Sequence, residues 1–107
     1  MKKNNKLYKG TLLNIVLKLL SKEGKMYGYQ MTQKAKELTQ GELEITEGAL
    51  YPILHKLEAD GIIESEIVIT NGRERKYYFL TEKGKDIQVE KEQEVLSFIQ
   101  NLNRIFN

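Results

Sequence analysis

The chain has 107 residues, the length of one domain, and 40% hydrophobic with 30% charged residues is the composition of a folded protein rather than a disordered one. Its net charge of +2 is too small by itself to indicate a nucleic-acid partner, and the absence of cysteine excludes a disulfide framework and thiol chemistry. The single His55 has no Cys or His companion, which argues against a metal site, and nothing in the sequence calls for a cofactor.

The distribution of charge is more informative than its sum. Residues 1–60 carry ten Lys against seven acids, and residues 73–76 carry Arg73, Arg75 and Lys76 against Glu74, so positive charge is biased to the front and to one short segment. The start, "MKKNNKLYKGTLLNIVLKLL", has a basic lead and an apolar run. Lys18 interrupts that run, no small-residue cleavage site follows, and the run is too short to span a membrane. A buried first helix over 10–22 is expected instead, apolar on most sides through Leu12, Leu13, Val16, Leu17, Leu19 and Leu20 and ended by Gly24.

"YGYQMTQKAKELTQG" predicts a second helix over 28–39. Met31, Ala35 and Leu38 recur at helical spacing and should face inward, leaving Tyr29, Gln33 and Lys36 outward, with Gly41 as the stop. "ELEI" is a short connector. Thr46 then caps a third helix with Glu47 in its first turn. Leu50, Ile53, Leu54 and Leu57 form its apolar stripe, and Gly48, Tyr51, Pro52, His55 and Ala59 share the other side before Gly61 ends it.

"IIESEIVITNGRERKYYFL" reads as a hairpin, with Asn71-Gly72 as a two-residue turn that pairs Thr70 with Arg73 and Val68 with Arg75. Thr81 then caps a long helix. Its first half is charged with Ile87 and Val89 as anchors, and its second half carries the stripe Val95, Phe98, Ile99, Leu102, Ile105 and Phe106. The order is mainly α with a small β-hairpin (α+β), a winged helix-turn-helix over 1–80 plus a long C-terminal dimerisation helix over 81–107.

Two features of this order bear on chemistry. Pro52 cannot donate to the Gly48 carbonyl, and together they keep one helix face low enough to approach base edges. Tyr51 and His55 can hydrogen-bond there, and the Pro52 ring can touch a thymine methyl. A kink that merely suits the core is the competing explanation. Arg73, Arg75 and Lys76 suit phosphates or a minor groove, although edge hairpins also carry such charges to block sheet pairing, and Glu74 opposes an anion. Tyr77, Tyr78 and Phe79 are read as packing of the wing rather than as a platform for single-stranded bases.

"YGYQM", "TEGALYPILHKLEADGII" and "NGRERKYYFLTEKG" resemble the PadR family of bacterial transcriptional regulators, and the resemblance runs from about Gly10 to Gly84. It implies a winged helix-turn-helix that binds double-stranded DNA as a homodimer. The helix bearing Thr46, Gly48, Tyr51, Pro52 and His55 would enter the major groove, and the wing around Gly72, Arg73, Arg75 and Lys76 would reach the flanking minor groove or backbone. Tyr29, Gln33 and Lys36 would lie on the backbone. The single helix after the wing resembles the smaller PadR subfamily, with Leu7, Tyr8, Val95, Leu96, Phe98, Ile99, Leu102, Ile105 and Phe106 at the dimer interface. Glu74 departs from the Pro or basic residue common in the family, and Phe79 from a basic or polar one. Some small relatives hold planar aromatic drugs between tryptophans. This chain has no Trp, and Leu96 can only line an apolar pocket.

The expected function is therefore a cytoplasmic, sequence-specific DNA-binding repressor. It would act as a homodimer on an inverted repeat and be relieved by a small apolar or aromatic effector near Leu96 and Ile99, with no membrane partner. A winged helix that binds protein without DNA affinity is the alternative, disfavoured by the acid-free outward face of the third helix. An enzyme has no support: there is no phosphate loop, metal cluster or triad that one histidine could serve.

Overall fold

The computed structural model describes residues 5–107, so the basic start at 1–4 lies outside the described residues. A short helix α1 (Asn5–Lys9) precedes α2 (Leu12–Glu23), and the two are separated at Gly10-Thr11, where the Thr11 hydroxyl donates to the Tyr8 carbonyl at 2.8 Å. The single helix expected over 10–22 is thus α2, and α1 is an addition. Gly24 ends α2 with φ +89°, its N–H donating to the Leu20 carbonyl at 2.9 Å.

Helix α3 (Gly28–Leu38) packs Met31 and Ala35 into the core, but Leu38 is exposed, contrary to the inward position expected of it. The reason lies in how α3 ends. The Thr39 hydroxyl donates to the Ala35 carbonyl at 2.8 Å and accepts from the Leu43 N–H at 2.9 Å, which folds the chain back beneath the helix. Leu43 and then Ile45 take the buried positions, so the connector contributes to the core.

Helix α4 (Glu47–Ala59) is capped as expected, the Thr46 hydroxyl accepting from the Ala49 N–H at 3.2 Å. Its Leu50, Leu54 and Leu57 belong to the same buried core as Val16, Leu17 and Leu20 of α2, all with almost no solvent exposure. Strands β1 (Ile63–Thr70) and β2 (Arg73–Leu80) pair antiparallel, Thr70 opposite Arg73 and Val68 opposite Arg75, as the Asn71-Gly72 turn requires. Both turn residues have positive φ, 53° and 73°, the signature of a type I′ turn. Met26 adds a rung: its N–H donates to the Tyr78 carbonyl at 3.1 Å, and the Tyr78 N–H returns a bond to Met26 at 2.8 Å. Tyr78 is buried there. Burial, then the Glu58 carboxylate and Tyr51, pushes its hydroxyl above the usual tyrosine range.

Helix α5 (Glu82–Phe106) starts at Thr81, whose hydroxyl accepts from the Gly84 N–H at 3.0 Å and donates to the Gly61 carbonyl at 2.7 Å. Gly84 rests against the Ile62 backbone so closely that a Cβ there would collide with the Ile62 carbonyl oxygen. Further along, buried Gln88 and the Asn14 side chain, which donates to the Lys91 carbonyl at 3.3 Å, mark the face of α5 turned to α2. Ile87 is half-buried near that face, whereas Val89 points to solvent and does not anchor the helix as expected. Beyond Val95 the apolar face of the helix is largely uncovered, with Phe98, Ile99, Leu102, Ile105 and Phe106 all exposed.

Candidate nucleic-acid interface

The helix-turn-helix is α3 and α4. On α4, Gly48, Pro52, His55 and Ala59 are exposed along one strip and carry no carboxylate. Thr46 and Glu47 stand exposed at its start. Tyr51 differs from its expected neighbours. It is half-buried and its ring reaches back onto α3, where a Cβ on Gly28 would strike the Tyr51 hydroxyl and lie 3.0 Å from Cζ. Gly28 is therefore a close-approach position between the two helices. On α3, Tyr29 and Gln33 face solvent, and Lys36 is exposed but pairs with Glu44 at 3.5 Å.

The wing's cations are not equivalent. Arg73, at the tip, is exposed and has no intramolecular partner among the described residues. Arg75 lies over the Tyr27 ring, 4.6 Å from its centroid, and Tyr27 meets Tyr77 edge-on at 5.2 Å. Lys76 pairs with Glu58 of α4 at 3.7 Å and sits 5.6 Å above the Tyr78 ring. Lys25, which drew no attention in the sequence, pairs with Glu66 at 2.7 Å and caps Phe79. Tyr77 and Phe79 thus pack the outer face of the wing, and Tyr78 packs the inner one. Ile67 and Ile69 were also missed. They are 57% and 68% exposed on the wing face shared with Lys76 and Glu74, a placement readable from the alternation of "IESEIVIT".

A groove of about 440 Å³ runs between α1, α2 and α5 and brings together Leu7, Tyr8, Val95, Leu96, Phe98 and Ile99. Leu102, Ile105 and Phe106 continue the apolar face beyond it. Its polar lining includes Thr11, Asn14, Lys18, Gln88 and Glu92, of which the sequence marks only Lys18, as the break in an apolar run. Lys18 Nζ and Gln88 Nε2 each donate to Glu92 Oε1 at 2.9 Å. These bonds, Gln88's first, hold the Glu92 carboxyl below the usual carboxylate range. Among the described residues no helix is long and apolar enough to cross a membrane.

The model of the transcriptional regulator PadR-like family matches residues 16–89. A curated transcriptional regulator of Mycobacterium tuberculosis is 38% identical over 63 residues, which is 59% of this chain and 56% of that one, so the match spans about half of that relative's length. Two solved structures cover nearly the whole fold. A PadR-like transcription factor from Bacteroides fragilis is 35% identical with a TM-score of 0.74, over 94% of this chain and 95% of that chain. A transcriptional regulator from Clostridium thermocellum is 27% identical with a TM-score of 0.84, over 95% and 99%. The likeness thus extends past the wing into the C-terminal helix. Members of the family are DNA-binding regulators rather than enzymes. With its winged helix-turn-helix, its single helix after the wing and a family match over residues 16–89, this chain belongs to the PadR-like family of transcriptional regulators.

Proposed function

We propose that the protein is a homodimeric repressor that binds an inverted-repeat operator in the bacterial cytoplasm and is released by a small apolar or aromatic effector. The observation that carries this reading is the low, carboxylate-free strip of α4, Gly48, Pro52 and His55, in the same fold as a wing whose tip Arg73 side chain has no partner among the described residues. A helix face of this kind admits base edges, and an unpaired arginine at a hairpin tip suits a phosphate or a minor groove. In this reading α4 enters the major groove with His55 and the Pro52 ring foremost, Thr46 and Gly48 at its start, and Tyr51 reaching from its half-buried side. Gly72 and Arg73 lead the wing, with Arg75 and Lys76 behind them, and Tyr29, Gln33 and Lys36 lie along the backbone.

The dimer covers the apolar face that begins at Leu7, Tyr8 and Val95 and continues through Leu96 to Phe106. Left in water, a continuous patch of this kind is a liability. The groove near Leu96 and Ile99 is the place for an effector, since apolar clefts at interfaces are the usual ligand sites. The test is a gel shift against the DNA upstream of the protein's own gene. Saturable binding to a short inverted repeat, surviving excess random competitor, is expected. Binding that random DNA competes away equally removes the sequence-specific reading.

A further inference from the structure

We propose that Arg75 is a positioning residue that fixes the wing relative to α4 through Tyr27, and that the wing's phosphate contact belongs to Arg73. The inference rests on the reading above, in which α4 and the wing meet DNA together.

Arg73, Arg75, Tyr77 and Phe79 share one face of β2. The backbone pairing of Met26 with Tyr78 sets Tyr27 beside Tyr77 and Lys25 beside Phe79. Arg75, one step further out, lays its guanidinium on the Tyr27 ring at 4.6 Å. Tyr27 is itself fixed: it precedes the first residue of α3, and its N–H donates to Gln30 Oε1 at 3.1 Å. Gly28, next in the chain, is the seat of the Tyr51 ring from α4. Four residues, Arg75, Tyr27, Gly28 and Tyr51, therefore join the outer half of the wing to the reading helix. Lys76 to Glu58 is a second tie on the inner face. At the tip Arg73 pairs with Thr70 through the backbone, and its side chain has no partner among the described residues.

These placements divide the labour. A guanidinium already lying on a ring orders the segment that carries it. Without that contact the wing can still deliver Arg73 to a phosphate, but it must be ordered on binding. The cost falls on affinity and leaves the number of neutralised phosphates unchanged.

The experiment compares Arg75→Ala, Arg75→Met, Tyr27→Leu, the Arg75→Ala/Tyr27→Leu pair and Arg73→Ala in operator binding across a salt series. With two wings per dimer, Arg75→Ala should weaken operator binding about ten-fold and leave the log–log salt slope unchanged, on the scale of an exposed cation–ring contact. Arg75→Met should recover part of the loss, because a thioether also packs on an aromatic ring. The double variant should bind no more weakly than the worse single one, since both changes break the same contact. Arg73→Ala should instead flatten the slope. In the free protein, the Arg75 side-chain protons should be shifted upfield by the Tyr27 ring and lose that shift in Tyr27→Leu. Three results overturn the proposal: a slope reduced by about 1.8 in Arg75→Ala, the loss of two phosphate contacts; equal losses for Met and Ala; or no ring shift in the free protein. A wild-type protein that shows the ring shift but binds no operator refutes the DNA reading and leaves the contact standing.

Discussion

The exposed face of α5 allows the dimer to be tested by one substitution with a magnitude attached. Phe98 is 53% exposed, so about half of its surface is left uncovered within one chain. A phenylalanine offers roughly 200 Å² of surface, so about 100 Å² is left to be covered, or roughly 2.5 kcal/mol per copy at about 25 cal/mol/Å². A two-fold interface uses the side chain twice, so Phe98→Ala removes about 4 kcal/mol once the retained alanine is allowed for. That corresponds to a dimer dissociation constant about a thousand-fold weaker. Alanine is also the better helix former, so the variant should keep its helical signal. Sedimentation equilibrium over a concentration series measures both constants. The wild type is expected to be dimeric at micromolar concentration, and Phe98→Ala to dissociate over that range. A full-length wild type that stays monomeric, or a variant with the wild-type constant, refutes the argument that this face is covered by a second copy.

What the sequence made legible follows from local rules. The Asn71-Gly72 turn dictates the hairpin register, because only a tight turn with two positive-φ residues joins these strands, and the pairings follow. Thr46 and Thr81 are caps because a hydroxyl before a helix meets an orphan N–H wherever the rest of the chain goes. The apolar stripe of α5 and the segment around Leu7 come together in one groove because both are apolar and adjoin the same face of α2.

What was not legible depends on contacts distant in sequence. Tyr51 falls at the edge of the outward strip of α4 by helical angle, and only the missing side chain at Gly28 decides that its ring folds back. Arg75 and Lys76 look alike in "GRERK", yet one is held by Tyr27 and the other by Glu58, and Arg73 by neither. Gly84 reads as an ordinary residue of a polar first turn until the Ile62 carbonyl is placed against it. Leu38 keeps helical spacing with Met31 and Ala35, but periodicity does not register that the chain turns under and Leu43 takes its place.

Four further outcomes can be measured. Gly84→Ala forces a Cβ into the Ile62 carbonyl oxygen, so α5 must shift, and the variant should lose about 1–3 kcal/mol in chemical denaturation; an unchanged midpoint removes the close-approach argument. Glu92 is ionised more readily folded than unfolded, so its contribution is present above the ordinary carboxylate range and is lost as pH falls through its lowered value. Glu92→Gln should therefore melt slightly below the wild type at neutral pH and match it in acid, whereas a gap that widens in acid contradicts the assignment. Arg73→Ala should weaken operator and random DNA together and lower the log–log salt slope by about 0.9 per lost phosphate contact, or about 1.8 for the dimer. The last outcome concerns the reading helix itself. His55 is exposed, so His55→Ala should leave the melting temperature alone and cost operator affinity on the order of 1–3 kcal/mol per base contact, with random-DNA binding and the salt slope nearly unchanged. Tyr51 is half-packed on Gly28, so alanine there would confound folding with recognition, and Tyr51→Phe is the cleaner probe because the ring stays in its seat and only the hydroxyl is lost. If the hydroxyl reaches a base edge, Tyr51→Phe reduces operator binding selectively. If it only packs, Tyr51→Phe binds as the wild type does and reading falls to His55 and Pro52. Should both variants weaken operator and random DNA by the same factor, α4 is not the reading head, and Gly48 and Pro52 shape the helix for the core alone.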